Sequence, residues 1–320
     1  MPAISIGVGG WAYFPGNPRN KLAACANLYD FVEVNSTFYK LPPEKLASKW
    51  RAMVPDEFQF SVRASRKLTH ENHLEPTTEN FKEYERNLAI CKILRAFVLH
   101  FQFPPSFDVS RQVFRNWRDF FASVGKVNGL NFAIEARNER VVNDPAFQSF
   151  LSSYDIIPTG DPSRGEIFAS SESKIAYSRI FGPGEHTKWI FSSVELENVK
   201  EEVLKIPATR RYVTFHNITM YEDGARMKQM VKKGDDPTPA VMGIDSLRDA
   251  IISARVKYPV SAGELISELG WRTVNMLDGR RVHVKEVLKT LPGEIQFDSL
   301  DEILDRTQAI FQGPDPGQRN

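Results

Sequence analysis

Residues 31–39 read Phe-Val-Glu-Val-Asn-Ser-Thr-Phe-Tyr, a short apolar run that leads into polar side chains. The run over residues 31–38 is rich in Val and Phe, which is typical of a buried strand. Similar runs recur along the chain, and most are followed by apolar residues at helical spacing. They cover residues 4–10, 31–38, 58–64, 96–103, 131–136, 156–159, 174–181 and 211–218.

Eight strand candidates alternating with helices predict an α/β fold, a TIM-like (β/α)8 barrel, which usually takes about 250 residues. A doubly wound open sheet is the competing interpretation. Its dinucleotide-binding turn opens a helix, whereas Gly7, Gly9 and Gly10 lead into Trp11 and further aromatic residues. We therefore predict a barrel over residues 1–235.

The chain changes character after the last run. Residues 232–239 are polar and carry two prolines, which indicates a linker or an exposed loop. Apolar residues at helical spacing then predict a small α-rich C-terminal domain over residues 241–312, with a hairpin about Asp278-Gly279. Residues 313–320 are expected to fray.

Composition excludes several classes of protein. Forty-one Lys and Arg against 40 Asp and Glu give a net charge of +1, so bulk charge does not drive binding to nucleic acid or to a membrane surface. Two cysteines suit a reducing compartment. Because we find no signal peptide and no apolar stretch near the roughly 20 residues of a membrane span, we expect a cytoplasmic protein without membrane contact.

Polar side chains stand at the ends of the strand candidates, where a barrel keeps its functional groups. Strand alternation places Glu33 with Asn35, and Glu135 with Arg137, on one side of their strands. Buried charges are costly unless paired, so we expect these groups to meet at the barrel mouth. His100 lies deeper in its run, and we expect it to be a core histidine with satisfied ring nitrogens.

Five segments resemble, in order and spacing, the YecE-like family, also called domain of unknown function family seventy-two. They are GGWAYF at 9–14, FVEVNSTFYKLP at 31–42, FQFSVRASRKLTH at 58–70, FQFPPSF at 101–107 and FAIEARNE at 132–139. The resemblance covers about residues 4–230 and implies a TIM-like barrel with no assigned activity. It carries over Trp11, Glu33, Asn35, Ser36, Thr37, Tyr39, Thr69, His70, Gln102, Glu135, Arg137, Arg179 and Asn217.

The chain departs from the family pattern at three places. Arg63 stands where lysine is common, which keeps the charge and changes its geometry. Phe181 stands where the family has a histidine, and His216 replaces the first residue of an Asn-Asn pair. A mechanism that needs the missing imidazole is therefore not supported by the resemblance.

The arginines at the mouth, Arg63, Arg137 and Arg179, suit a phosphate or carboxylate, since a guanidinium can hold two oxygens at once. We predict an enzyme acting on a small anionic or phosphorylated molecule, a hydrolase first and an isomerase second. The expected catalytic residues are Glu33, His70 and Glu135. The expected substrate-binding residues are Trp11, Asn35, Tyr39, Arg63, Gln102, Arg137, Arg179 and Asn217.

Two alternatives stay open. A divalent metal would find ligands among Glu33, His100, Glu135, Asp161 and His216, but no HExxH or paired-histidine spacing supports it, so no metal or cofactor is assigned. The second alternative is a non-catalytic module that binds a nucleic acid or a metabolite. The net charge of −2 over residues 241–320, from 10 basic and 12 acidic side chains, does not favour nucleic acid, although the basic cluster at residues 280–285 does.

Overall fold

A computed structural model of the chain describes residues 3–14, 20–107, 110–168, 174–184, 188–234, 241–270, 272–293 and 295–311. Within these ranges eight parallel strands close into a barrel in chain order, and β8 returns to pair with β1 over six residues. The predicted TIM barrel is confirmed. Its strands are β1 (Ala3–Val8), β2 (Phe31–Val34), β3 (Gln59–Arg63), β4 (Val98–Phe103), β5 (Asn131–Ala136), β6 (Ile157–Gly160), β7 (Ile175–Ile180) and β8 (Arg210–Phe215).

Helices surround the strands, and some of them begin at a side-chain cap. The side chains of Ser110 and Asp144 accept backbone hydrogen bonds at the first turns of α5 and α7, as their residue types favour. The helices are α1 (Lys21–Leu28), α2 (Ser36–Tyr39), α3 (Glu44–Ala52), α4 (Thr78–Leu94), α5 (Arg111–Val124), α6 (Glu139–Val142), α7 (Pro145–Tyr154), α8 (Ser193–Lys205) and α9 (Met220–Lys233). A π-helical turn (Lys67–Glu71) follows β3, and a 3-10 turn (Pro162–Arg164) follows β6.

The barrel interior is built in layers by strand alternation. Aromatic rings fill the lower layer, where Phe31, Phe97, Tyr177 and Tyr212 pack mostly edge to face. The neighbouring residues of each strand point outward and pack against the helices. The next inward residue of each strand, such as Glu33, is therefore held above an incompressible aromatic floor, toward the C-terminal mouth.

Two predicted boundaries are wrong. The second strand ends at Val34 and not at residue 38, because the chain turns into α2 there. The Thr37 hydroxyl lies 2.5 Å from the Val34 carbonyl oxygen and 2.6 Å from that of Arg63, so its single proton is shared between acceptors at two strand ends. Lys232 and Lys233 belong to the last turn of α9, where their positive charges stabilise the C-terminal end of the helix. Residues 235–240 of the predicted linker lie outside the described residues.

The C-terminal region has its own buried apolar residues, among them Leu247, Leu265, Leu288 and Ile303. The predicted hairpin is present, with Thr273–Asn275 antiparallel to Arg281–His283. Its elements are α10 (Ile244–Ala254), β9 (Val260–Ser261), α11 (Ala262–Leu269), β10 (Thr273–Asn275), β11 (Arg281–His283), α12 (Val284–Leu288), β12 (Gln296–Phe297) and α13 (Leu300–Phe311). The division into domains stays a prediction, and the tail 313–320 lies outside the described residues.

None of the described helices combines the length and the apolar character that a membrane-spanning helix requires.

Candidate active site at the barrel mouth

A buried ion triad occupies the centre of the mouth. Arg179 on β7 donates from Nη2 to Glu33 Oε1 at 2.9 Å and from Nη1 to Glu135 Oε2 at 2.6 Å. Glu33 is fully buried and Arg179 is 2 % exposed. Because β2, β5 and β7 each contribute one member, this pairing crosses the barrel and does not follow neighbouring strands.

Both carboxylates of the triad are held ionised. Burial alone would raise the pKa of Glu33, but the charge of Arg179 and the hydrogen bond from Tyr177 lower it to about 2. The Tyr177 hydroxyl also donates to Glu33 Oε2 at 2.6 Å, so the Ser61 hydroxyl must donate to Tyr177. Burial would likewise raise the pKa of Glu135, but the charges of Arg179 and Arg137 hold it well below the ordinary value.

Two imidazoles border the triad, and both are neutral. Burial, with the nearby charge of Arg179, lowers the pKa of His100 and of His216. His216 Nε2 accepts a hydrogen bond from Arg179 Nε at 3.3 Å. His100 lies with Nε2 3.4 Å from Glu135 Oε2, outside hydrogen-bonding geometry, and neither of its nitrogens has a partner among the described residues. The expected core position of His100 is confirmed, but the expected hydrogen bonds to its ring nitrogens are not formed among the described residues.

A glycine allows His216 to approach β1. A Cβ atom at Gly9 would lie 2.3 Å from His216 Nδ1 and 3.0 Å from Asn35 Nδ2. We expect Gly9→Ala to destabilise the fold by about 1–3 kcal/mol, the usual cost of overpacking. Thermal unfolding measures this, with Gly293→Ala as the control because nothing lies within 4 Å of its added Cβ. Equal melting temperatures for the two variants would contradict the tight contact.

Two further arginines keep donors free at the mouth. Arg137 Nε donates to Glu135 Oε1 at 2.5 Å, while Nη1 and Nη2 have no partner among the residues that the structure describes. Arg63 donates to Gln102 through Nη2 and lies over the ring of Phe38, 3.7 Å from its centroid. Burial lowers the pKa of Arg63 to about 10, which leaves it charged at neutral pH.

A cleft of about 320 Å³ opens beside the triad. Its charged lining groups are three arginines and three carboxyl groups, and Phe181 forms one wall below Arg137. The lining residues are Pro105, Glu135, Arg137, Gly160, Asp161, Arg164, Glu166, Arg179 and Phe181. The volume lies at the small end of the range for ligand pockets, so it suits a small polar molecule.

The carboxyl groups of the cleft differ in their environments. Asp161 accepts from the backbone N–H groups of Phe181 and Ser163, so it ties the ends of β6 and β7 together. Among the described residues, Glu166 Oε2 accepts one hydrogen bond, from the backbone N–H of Asp161 at 3.0 Å. Burial of its carboxyl, opposed by that hydrogen bond and reinforced by the charges of Asp161 and Glu135, raises the pKa of Glu166. Glu135 and Glu166 therefore have pKa values shifted in opposite directions.

The other predicted site residues lie farther from the triad. Trp11 packs edge to face on Trp50, and Tyr39 is 78 % exposed at the rim. His70 is half-buried against Phe38, and burial with Arg63 and Arg66 lowers its pKa to about 4. Asn35 donates to the Gly9 carbonyl, and its Oδ1 is buried without a partner among the described residues.

Asn217 is not among the residues that line the cleft. Its Nδ2 donates to Asp223 Oδ2 at 2.6 Å and to the Trp189 carbonyl at 2.9 Å, at the start of α9. The structure thus brings together Glu33, Glu135, Arg179 and Arg137, with Arg63 and Gln102 beside them, and does not bring Asn217, Tyr39 or Trp11 into this group.

Sequence reasoning missed Glu166 and Arg164. Both follow β6 in a segment without a clear apolar run, where the only signal was the position after a strand end. It also treated Phe181 and His216 as separate departures from the family pattern. The two rings stack, with centroids 5.1 Å apart.

Among the described residues, no three His, Cys, Asp or Glu side chains are grouped so that they could hold a metal ion. Arg179 stands between the carboxylates that the sequence suggested as ligands.

The closed parallel barrel with its charged groups at the C-terminal mouth defines a TIM-barrel protein. A sequence profile described as "Protein of unknown function DUF72" matches residues 5–241, and the chain belongs to this family. It is 28 % identical over 166 residues to UPF0759 protein YunF of Bacillus subtilis strain 168; the match covers 47 % of this chain and 56 % of that relative's length.

Solved structures agree on the fold. A DUF72 family protein from Enterococcus faecalis V583 matches with a TM-score of 0.60 and 18 % identity, over 75 % of this chain and 99 % of its own. A DUF72 family protein from Thermotoga maritima MSB8 matches with a TM-score of 0.60 and 18 % identity, over 72 % of this chain and all of its own.

Proposed function

We propose that the cleft is the active site of a hydrolase acting on a small phosphorylated molecule. The observation that carries this is the cleft itself, which joins a clamped, ionised carboxylate, a carboxyl group with a raised pKa and an arginine with free donors. Groups whose pKa values are pushed apart in one site are the usual pattern of acid and base partners. Of the two glutamates expected from the sequence, Glu135 lines the cleft, while Glu33 is fully buried and does not line it.

The net charge of this cleft depends on Glu166. Arg137, Arg164 and Arg179 balance the three carboxyl groups when all are ionised, and a proton on Glu166, whose pKa is raised, leaves the arginines in excess by one. Arg137 offers Nη1 and Nη2 as a fork, the geometry that suits two phosphate oxygens. Its guanidinium carbon lies 5.0 Å from the centroid of Phe181, which restricts the orientation of the fork.

The roles follow from these positions. Arg137 binds the phosphoryl group, and Glu135 accepts a hydrogen bond from the attacking water. As the water oxygen bonds to phosphorus, the bond to the leaving oxygen breaks and its electron pair stays on that oxygen. Glu166 protonates the leaving oxygen, and one water proton passes to a phosphoryl oxygen, because Arg179 and Arg137 keep Glu135 ionised. The released dihydrogen phosphate returns a proton to Glu166. Positioning and fixed charge supply most of the rate in such transfers.

Replacing Arg137 by alanine is expected to weaken binding of inorganic phosphate by ten- to a hundredfold, since a charge-assisted hydrogen bond contributes about 1.5–3 kcal/mol. Arg137→Lys keeps the charge and loses the fork, so part of the loss should remain. A thermal-shift titration with phosphate measures both variants against Arg115→Ala, an exposed arginine on α5. If phosphate does not shift the wild-type melting temperature while Arg137→Ala lowers it, the arginine is structural and the proposal fails.

The binding-module alternative predicts phosphate binding without turnover. Its nucleic-acid form depended on the basic cluster at residues 280–285. There, Arg281 pairs with Asp223, and Arg280 pairs with Asp278. Because these charges are already neutralised within the chain, the cluster does not favour a nucleic acid.

A further inference from the structure

The C-terminal region reaches the barrel through one buried ion pair. Arg281 on β11 donates from Nη1 to Asp223 Oδ1 on α9 at 2.7 Å, and the two side chains are 8 % and 0 % exposed. Arg281 also pairs with Glu222, and Thr273 on β10 donates to Glu222 at 3.1 Å. Burying a charge is costly without a partner, so this contact specifies where the hairpin docks.

Asp223 also connects the hairpin, through hydrogen bonds, to the loop beside the mouth. Its second oxygen, Oδ2, accepts from Asn217 Nδ2 at 2.6 Å and from the Thr219 hydroxyl. The same Asn217 nitrogen donates to the Trp189 carbonyl at 2.9 Å, and Arg226, paired with Asp223, donates to the Phe191 carbonyl at 2.7 Å. One carboxylate therefore joins the hairpin to both ends of the segment 189–191.

Trp189 packs directly on the wall of the cleft. A Cβ atom at Gly182 would lie 2.3 Å from Trp189 Cβ, so the indole covers this glycine without a gap. The Gly182 amide donates to Asp161 at 3.2 Å, and its carbonyl accepts from Arg164 Nε at 2.7 Å. Asp161 and Arg164 both line the cleft.

We propose that Arg281 is a positioning residue, by which the C-terminal region holds Trp189 and, through it, the Asp161–Arg164 wall of the cleft. The consequence for catalysis rests on the proposed function, but the coupling itself does not. The solved DUF72 structures match almost along their full lengths while covering 72–75 % of this chain, and the family profile ends at residue 241. The hairpin thus lies outside the region that the family profile matches, and it contacts α9, whose Asp223 is hydrogen-bonded to Asn217 beside the loop.

The test uses the full chain, which contains five tryptophans, labelled with 5-fluorotryptophan. We expect Arg281→Met to shift or broaden the ¹⁹F resonance of Trp189, assigned with Trp189→Phe, and to leave buried Trp117 unchanged. Arg281→Lys should restore part of the wild-type signal. Arg280→Met is the matched control, because this neighbouring arginine is exposed and pairs with Asp278.

A milder variant covers the case in which Arg281→Met does not fold. Thr273→Val removes a hydroxyl that lies 3.3 Å from Arg281 Nη2 and bonds Glu222, and it keeps a β-branched residue in the strand. It should move the Trp189 resonance in the same direction by a smaller amount. An unchanged Trp189 resonance in folded Arg281→Met, or in Thr273→Val when Arg281→Met does not fold, would overturn the proposal. If the wild-type protein does not bind inorganic phosphate but the Trp189 resonance still responds to Arg281→Met, only the proposed function is refuted.

Discussion

Replacing Arg179 by methionine is expected to lower the melting temperature by about 6–20 °C, because stranding a buried partner costs about 3–5 kcal/mol and each kcal/mol shifts a domain by about 2–4 °C. The variant leaves the buried carboxylates of Glu33 and Glu135 without the cation that both contact. Differential scanning calorimetry measures the effect. The matched control is Arg86→Met, which removes an arginine that is 72 % exposed and is expected to have a small effect.

Neutralising the carboxylates tests the cause. Adding Glu33→Gln and Glu135→Gln to Arg179→Met should recover part of the lost stability, since no buried charge then lacks a partner. Acid offers a second check in the wild type. The stabilisation from ionised Glu33 is complete above its ordinary pKa of 4.5 and is lost as pH falls toward the folded value of about 2. If Arg179→Met melts like Arg86→Met, the triad does not hold the mouth together.

Glu166→Gln is expected to lower kcat by about 10²–10⁴-fold on an alkyl or phenyl phosphate, the usual contribution of a general acid. The amide cannot donate a proton to the leaving oxygen. On p-nitrophenyl phosphate the loss should be much smaller, because this leaving group departs without protonation. Steady-state kinetics on the two substrates measure the difference, and Asp119→Asn on the exposed side of α5 is the control.

The pH profile gives an independent readout of the same group. An acid works only while protonated, so wild-type kcat should fall as pH rises through the raised pKa of Glu166. The Gln variant should lose this decline. Equal losses on both substrates with an unchanged profile would mean that Glu166 only supports the loop after β6.

The barrel could be predicted because each strand is specified by its own short stretch of sequence. Short apolar runs with a period of two place alternate side chains inside and outside, and this placed Glu33, Glu135 and Gln102 on the inner side. The helix starts at Ser110 and Asp144 were predictable for the same reason, since capping depends on residues within one turn.

The partners inside the barrel could not be predicted in this way. Arg179 contacts Glu33 and Glu135 across the barrel, and only closure of all eight strands brings these positions together. The arginine that we expected to bind a ligand is therefore engaged by carboxylates of the chain. Asn217 followed the pattern of a mouth residue, but the buried carboxylate of Asp223, six residues on, competes for its amide.

The location of a bound tetrahedral anion tests the central claim most directly. Crystals soaked in sodium tungstate, a phosphate analogue with strong anomalous scattering, would show where such an anion binds. We expect an anomalous peak in the cleft within hydrogen-bonding distance of Arg137 Nη1 and Nη2, and its loss in Arg137→Ala crystals. A wild-type cleft without a peak, in crystals that bind tungstate elsewhere, would contradict the assignment of this mouth as the active site.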